Sequence, residues 1–443
     1  MDSSESRITI PSFGSKPVTI NFSGGDITSD GGWALVGLAD DKIGLTRSMA
    51  AAIKDLRDPE KVLHSCEEQV RARVYGITNG YEDCNDHDFL REDPCLKSVC
   101  GSSPDDGADL ASQPTLSRFE NASGWRDLIR CGRVILRSAV AQIPKESPRI
   151  YLDVDATDDP THGQQQLCLF NGHYLNYCYL PLHVFATGSD GRKRALASVL
   201  RPGNASYKTG LKGTLRAVVR ALRERFPDSE IILRADSDFG NAEVIKFCRR
   251  HGLKFLLGVS GNPRLITLGI PAMLRVAAEK TATKGDPWVF DEFEYQAETW
   301  PTPHRVIVKA EVTQEKLNPR FVTTNLKELP PEIYASYCDR GECENRIKEL
   351  KLDLFSGRTS CTRFLANQFR LLLHTAAMVL MQALQDAAAD TKYAKAQAAT
   401  LRLRLLKVGG RIREVKRRIW FHLSSSYPDR HDWLAIAGRL LAG

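Results

Sequence analysis

A chain of 443 residues, 42% hydrophobic and 26% charged, carries enough apolar material for a large core and is long enough for about two to four domains. That balance excludes a fibrous, low-complexity or intrinsically disordered protein. A net charge of +7 points weakly to an anionic partner, and eleven cysteines without a CxxC pair argue against a disulfide framework or a zinc module.

The first six residues are polar and acidic, which predicts no signal peptide. The greasiest run, 371–384, is interrupted by His374 and falls short of the ~20 residues of a membrane span. A cytoplasmic chain with reduced thiols is expected. Ile8, Ile10, Val18, Ile20 and Phe22 alternate well enough to predict a short hairpin around Gly14. From Ser29 to about Ile143 the pattern is helical. Asp30 is placed to cap a helix over 33–39, and Pro59 to open one carrying Val62, Cys66, Val70 and Val74. Residues 85–88 cap another, and 125–143 form a long amphipathic helix. A short capped helix over 112–121 turns Arg118 and Asn121 outward, either toward a DNA groove or simply as the polar side of a packed helix. Residues 1–147 thus read as a mainly helical region for DNA binding or dimerisation.

Pro148 opens the clearest pattern. Residues 149–155 predict a strand with Ile150, Leu152 and Val154 on one face and Tyr151, Asp153 and Asp155 on the other. Two further strands, 167–171 and 177–185, join through Gly172. A helix over 207–226 turns Leu211, Leu215, Val218, Val219 and Leu222 inward and Lys212, Arg216, Arg220 and Arg223 outward. That basic row is either a phosphate-binding face or a solvated one. A buried strand over 231–236, a helix over 242–251 and a strand over 254–259 follow. Three meander strands, then helix, strand, helix, strand, is the order of a ribonuclease-H-like α/β core, whose first part spans 148–261. Residues 262–334, broken by Pro301, Pro303 and Pro319, predict a mostly β insertion. The last helices of the core occupy 335–390, and a basic C-terminal region, 391–443, carries a cluster at Arg411, Arg413, Lys416, Arg417 and Arg418.

The stretch 337–351 has no proline and is rich in helix formers after Gly341. On a wheel of ~100° per residue, Tyr337, Arg340, Glu344, Lys348 and Lys351 fall within an arc of about 80°. Cys343, Ile347, Leu350 and Leu354 form an apolar stripe beside it, with Glu342 and Glu349 on the far side. One acid among cations on such a face is either an ordinary i,i+4 ion-pair surface or a site.

Two strand-end aspartates and one helical glutamate suit two-metal phosphoryl chemistry, because carboxylates are hard oxygen ligands. Asp153 and Asp155 share a face. Asp155, at the strand exit, is the preferred first acid; Asp153, deeper in the strand, suits a supporting role better. Asp236 ends a buried strand and needs a metal or a cation there, whereas Asp238 is placed to cap the helix after Gly240. Asp158 and Asp159, before Pro160, read as turn residues.

The spacing Tyr337-x2-Arg340-x3-Glu344-x6-Lys351 resembles the signature helix of DDE transposases of bacterial insertion sequences. With Asp155-Ala156-Thr157, His162-Gly163-x-Gln165, Arg201-Pro202-Gly203-Asn204 and Arg234-Ala235-Asp236, the chain is similar to the insertion-sequence 1380 family over nearly its full length. The resemblance implies Asp155, Asp236 and Glu344 as catalytic metal ligands, and Mg²⁺ as the cofactor, with Mn²⁺ able to substitute. It implies double-stranded DNA as partner, both terminal inverted repeats and target, bound by a homodimer in a synaptic complex at the nucleoid. Hydrolysis at the element ends would free a 3′-OH that attacks target DNA. Arg340, Lys348 and Lys351 would hold phosphates, and Tyr337 would orient the backbone. Gln164, Gln165 and Gln166 take no assigned role. Trp300, in the β insertion, is a candidate to stack an extruded base, with Trp288 as the alternative and core packing as the plain reading. Two rival functions use the same residues: a ribonuclease-H-like structure-specific nuclease, and an inactive transposase-derived DNA-binding protein. The second would be expected to lack an acid.

Overall fold

Ile150, Leu152 and Val154 on one side of Arg149–Ala156 (β1) and Asp153 and Asp155 on the other are all buried. A strand buried on both faces belongs in the middle of a covered sheet, and its polar side chains must find partners there. β1 is central to an eight-stranded sheet in the computed structural model, which describes residues 7–10, 16–282, 287–313 and 316–442.

The chain divides into two compact units. The larger combines Ser48–Lys54 with Glu120–Gln382. Within it, small strands Leu169–Asn171 (β2) and Asn176–Tyr179 (β3) follow β1, then Leu182–Thr187 (β4) and Lys193–Val199 (β5). Glu230–Ala235 (β6), Lys254–Val259 (β7), Trp288–Tyr295 (β8), His304–Thr313 (β9) and Lys316–Thr324 (β10) complete the set. The large sheet runs β8-β9-β10-β7-β6-β1-β4-β5, with β6 parallel to both β1 and β7 and the other pairs antiparallel.

Three departures from the sequence pattern matter. The predicted strand 177–185 is two strands, because β3 leaves the large sheet to pair with β2 and with Asp159–Pro160 in a small sheet of its own. β5 has no clear apolar alternation: it buries Lys193, Arg194 and Ser198 as well as Ala195 and Leu196, and their partners lie elsewhere in the chain. The β insertion is not a separate body, since β10 pairs with β7 and its three strands extend the same sheet. Nor is 262–334 mostly β throughout: its first part is a long helix, Pro263–Ala282, that encloses Pro271, a residue that reads as a breaker in sequence.

Trp125–Ala141 (α1) packs on β5 and on Leu211–Arg225 (α2), while Ala242–Arg250 (α3) packs on β7. Asn241, not Asp238, caps α3, accepting the N–H groups of Glu243 and Val244. The stretch carrying Tyr337 is not one helix. Pro330–Cys338 (α4) ends, Gly341–Lys348 (α5) begins, and a π turn over Glu349–Asp353 closes it. Cys343, Ile347, Leu350 and Leu354 are buried as their stripe predicts. Glu349 is the exception: it is buried and paired with Arg346 at 2.5 Å. Phe364–Ala387 (α6) is long and apolar enough to cross a membrane, but 83% of its apolar window is buried in the protein, as in a core helix.

The smaller unit gathers Met1–Arg47, Asp55–Phe119 and Ala383–Gly443, so the two ends of the chain, expected as separate regions, share one body. The Gly31 N–H donates to the Val408 carbonyl and that of Gly32 to Leu406. A Cβ at Gly32 would stand 2.2 Å from the Leu406 backbone, so this contact requires glycine. Asp30 does not cap the helix Trp33–Ile43; it is buried and takes Lys407 at 2.7 Å and Asn79 at 2.9 Å. The helix expected at Pro59 is a single 3₁₀ turn, and the real helix, Cys66–Thr78, starts at its Ser65 cap. The basic cluster lies on a hairpin, Gly410–Val415 with Arg418–Leu423. Ile8–Ile10 pairs with Val18–Ile20, and Gly14 lies outside the described residues.

Candidate active site

β1 and β6 are parallel neighbours, so their C-terminal ends deliver Asp155 and Asp236 to the same edge of the sheet. Asp236 sits one residue beyond β6, in a turn where its Oδ1 accepts the Asp238 N–H at 3.0 Å. Arg340, at the break between α4 and α5, closes the arrangement. Its Nη1 donates to Asp155 Oδ2 at 3.0 Å and its Nη2 to Glu344 Oε1 at 3.3 Å. Burial pushes the Asp155 carboxyl up to about 6; Arg340 pulls it back, while the charges of Asp236 and Glu344 add to the rise. Asp236 is raised too, by burial first and then by Asp238. A guanidinium therefore only partly offsets the crowding of negative charge at this edge.

Two glycines permit the approach, and neither stood out in the sequence. A Cβ on Gly258, in β7, would come within 2.6 Å of the Tyr337 hydroxyl and 2.9 Å of the Ser237 nitrogen. A Cβ on Gly240 would lie 1.9 Å from the Gly258 carbonyl oxygen. Tyr337 can thus pack closely behind the Asp236 turn.

Asp153, two residues before Asp155, is wholly committed. It is fully buried and accepts Arg234 Nε at 2.7 Å and Nη2 at 2.9 Å, with Lys193 as a further donor. Asp155 opens instead onto a cleft of about 300 Å³ lined by Thr157, Glu344, Lys348, Lys351 and Leu352. Lys348 is exposed at the cleft, whereas Lys351 is engaged with Thr157 Oγ1 at 3.2 Å and with the carbonyl and carboxylate of Asp158 at 2.7 and 3.0 Å. Asp158 is therefore more than a turn residue.

Trp300 is placed differently from its role as a base stacker. It is 4% exposed and packs edge-on against Tyr295 and His304, with centroids at 5.4 and 5.5 Å. A ring enclosed in this way has no face to offer a base, so core packing is the reading the structure supports. Trp288 is exposed on β8 and touches Phe290.

A family model described as the transposase DDE domain, group 1, matches residues 10–442. The chain belongs to the DDE transposase family. No curated protein matches it. Membership implies DNA as the partner and a DNA-cleaving or DNA-transferring enzyme, and DDE transposases generally use divalent metal ions.

The residues of this transposase fit such an ion in chemistry: Asp155 and Glu344, both hard oxygen donors, share the positive charge of Arg340, and Asp236, a third, ends the neighbouring parallel strand. Among the described residues, no three acidic, histidine or cysteine side chains are grouped closely enough to enclose a metal as they stand. Arg340 is the cation shared by Asp155 and Glu344.

The Gln164–Gln166 run also finds a place. Gln165 Nε2 donates to the Thr359 carbonyl at 2.5 Å, and Gln166 Oε1 accepts the Phe364 N–H at 3.2 Å. Beside them Asp159, read as a turn residue in the sequence, lies in a short strand and is buried. One of its oxygens accepts the Thr359 hydroxyl at 2.7 Å and the other has no hydrogen-bond partner. Burial pushes its carboxyl up to about 7. Between the ordinary value near 4 and 7 the folded chain holds a proton that the unfolded chain has lost, so this group's contribution to stability falls as pH rises through that window. Asp159→Asn should consequently be more stable than wild type at pH 8, by on the order of 2–4 kcal/mol, and no more stable at pH 4. Urea unfolding at the two pH values measures this; equal gains at both would show that the charge is not the cause.

Proposed function

We propose that this transposase cleaves DNA at the ends of an insertion sequence and transfers the freed strands to target DNA. The observation that carries this is the delivery of Asp155 and Asp236 to one end of the sheet by adjacent parallel strands, with Glu344 joined to Asp155 through Arg340. The order of β1, β4, β5, α2, β6, α3 and β7, with acids at the C-terminal ends of two adjacent parallel strands, supports a ribonuclease-H-like core. The spacing of Tyr337, Arg340, Glu344 and Lys351 supports placement near the insertion-sequence 1380 family.

On this reading Asp155, Asp236 and Glu344 hold Mg²⁺, or Mn²⁺ in its place. Bound there, a pair of such ions would activate the attacking oxygen and stabilise the leaving one. Arg340, held between Asp155 and Glu344, would offer its guanidinium to a phosphate at these acids. Lys348 faces the same cleft as a free-standing point charge. Lys351 acts at one remove: by tying Thr157 and Asp158 to the π turn it fixes the strand exit on which Asp155 sits. Tyr337, packed behind the Asp236 turn, positions that acid. The substrates are the terminal inverted repeats and target DNA, brought together by a homodimer at the nucleoid.

The test is incubation of the chain with Mg²⁺ and a duplex spanning the terminus of the element that encodes it, together with a target plasmid. Nicking at the terminus followed by joined product is expected. Cutting without joining would favour a nuclease, and binding without cutting a DNA-binding relic.

Electrostatics offers a separate test on the smaller unit. Arg411, Arg413, Lys416, Arg417 and Arg418 are all exposed on the tail hairpin. Reversing three of them should weaken binding to every duplex sequence and flatten the dependence of log K on log salt by roughly one unit per lost phosphate contact. If the slope does not move, the cluster only solubilises the chain. The α2 row is a weaker candidate, since Lys212 is paired with Glu243 and Arg223 donates to the Pro227 and Ser229 carbonyls.

A further inference from the structure

Between β1 and β4, where a minimal sheet needs only a tight turn, the chain makes an excursion whose apolar residues face outward. Phe170, Tyr174, Leu175 and Tyr177 on the β2–β3 hairpin are 50%, 38%, 76% and 58% exposed. Exposed aromatic and aliphatic groups clustered in one small element mark an interaction site more often than scattered ones do.

The hairpin is held rigidly from two sides. On one side Arg201-Pro202-Gly203 is its buttress. Buried Arg201 donates from Nε to the Leu180 carbonyl at 2.7 Å, Pro202 bridges to Tyr179, and the Gly203 carbonyl accepts Asn171 Nδ2 at 2.7 Å. A Cβ at Gly203 would stand 2.2 Å from the carbonyl oxygens of both Leu169 and Cys178, so the turn seats against the hairpin only as glycine. On the other side, the Gln166 carbonyl accepts the Tyr179 hydroxyl at 2.8 Å, and the Gln166 N–H donates to Thr362 at 2.9 Å.

The tip itself is fixed. Asn171 Oδ1 accepts the N–H groups of His173 and Tyr174 at 2.9 and 3.2 Å, and Leu175 takes a left-handed φ of 52°, a costly conformation for a leucine. His173 packs edge-on against Tyr174 at 4.8 Å. The hairpin is also tied to the exit of β1, because β3 pairs with Asp159–Pro160, just beyond Asp155 in the chain. Burial raises the pKa of the Tyr174 hydroxyl, and the charges of Asp158, Asp155 and Asp238 raise it further.

We propose that the His173–Tyr174–Leu175 tip is a base-contacting wedge, with Tyr174 stacking a nucleobase of the DNA whose backbone lies at Asp155, Asp236 and Glu344. The inference rests on the proposed DNA-cleaving function. A nucleobase is the occupant that fits, because the surface is an aromatic face with a small apolar tip beside a site for phosphates, and every base has a π face to offer such a ring. The ring also arrives preorganised, so little ordering cost opposes stacking.

The experiment uses the full chain and the element-terminus duplex, with Ca²⁺ in place of Mg²⁺ and 2-aminopurine at successive positions across the terminus. Wild type should change the fluorescence at one or two adjacent positions. Tyr174→Ala should abolish that change and weaken binding about tenfold, while Tyr174→Phe keeps both. Thermal melting checks that the alanine variant is folded, and sedimentation checks its oligomeric state. If Tyr174→Ala binds and reports as wild type does, the wedge is wrong and the transposase reading stands. A variant that loses its dimer along with the signal would make the tip a contact between copies of the chain, and the wedge is again wrong. A wild type that fails to bind the duplex at all would sink the functional reading, and the wedge with it.

Discussion

Asp155→Asn, Asp236→Asn and Glu344→Gln should each lower DNA cleavage by about a thousandfold or more while leaving binding of the element terminus near wild type. All three substitutions keep the shape of the side chain and remove only the charge. On the proposed reading the acids act as one unit, so a double variant should be little worse than either single one. Binding should survive because none of the three provides positive charge to the DNA, and losing an anion from the cleft reduces repulsion of phosphate. Asp155→Asn should also fold well: burial penalises its charge, so an amide costs the native state little. Gel assays of nicking and of binding, run on the same preparations, give both quantities. A single variant that still cuts at the wild-type rate would remove that residue from the site.

The sheet was legible where each strand's own residues explain it. β1, β6 and β7 are dense in Ile, Leu, Val and Phe, and the acids at the ends of two of them follow from the parallel pairing. β5 was not legible because it buries charge: Lys193 is satisfied by Asp153, forty residues away in the chain, and Arg194 by Asp190 in the preceding turn. A single-sequence reading prices a buried lysine as exposed and has no means to see the partner. The same limit applies to the long helix through Pro271, where tertiary packing of Leu265, Ala272 and Val276 overrides a local breaker. At the candidate site, the spacing of Tyr337, Arg340, Glu344 and Lys351 was visible, but an ideal wheel missed the break at Arg340 and the π turn in which Glu349 is buried. Trp300 misled because a Trp-Pro pair at a strand end looks like a projecting tip, whereas Tyr295 and His304 enclose it. The aromatic hairpin was legible only as two strands joined through Gly172, and the anchoring by Arg201, Gly203 and Gln166 is what holds it.

Asp153→Asn should behave in the opposite way to Asp155→Asn: it should destabilise the fold by about 3–5 kcal/mol. Asp153 lies on the same strand and the same face, but wholly buried between Arg234 and Lys193, whose side chains are themselves almost entirely buried. The three together carry one net positive charge in the core; removing the carboxylate leaves two cations facing a neutral amide with no water to screen them. Arg234 makes the loss travel. Its Nη1 donates to the Ser336 carbonyl at 2.7 Å and its guanidinium lies 4.4 Å from the Tyr151 ring, so it joins β6 to α4, the helix that ends next to Arg340. Lys193→Met is the control. It leaves one carboxylate with one guanidinium, a balanced pair, and replaces the lysine stem with an apolar side chain of similar length, so its cost should be clearly smaller. Urea unfolding of the three variants ranks them, with Asp153→Asn lowest, Lys193→Met intermediate and Asp155→Asn closest to wild type. An Asp153→Asn protein that is as stable as wild type but no longer cleaves DNA would make Asp153, not Asp155, the first acid of the site, and would require Arg234 and Lys193 to release it when DNA binds.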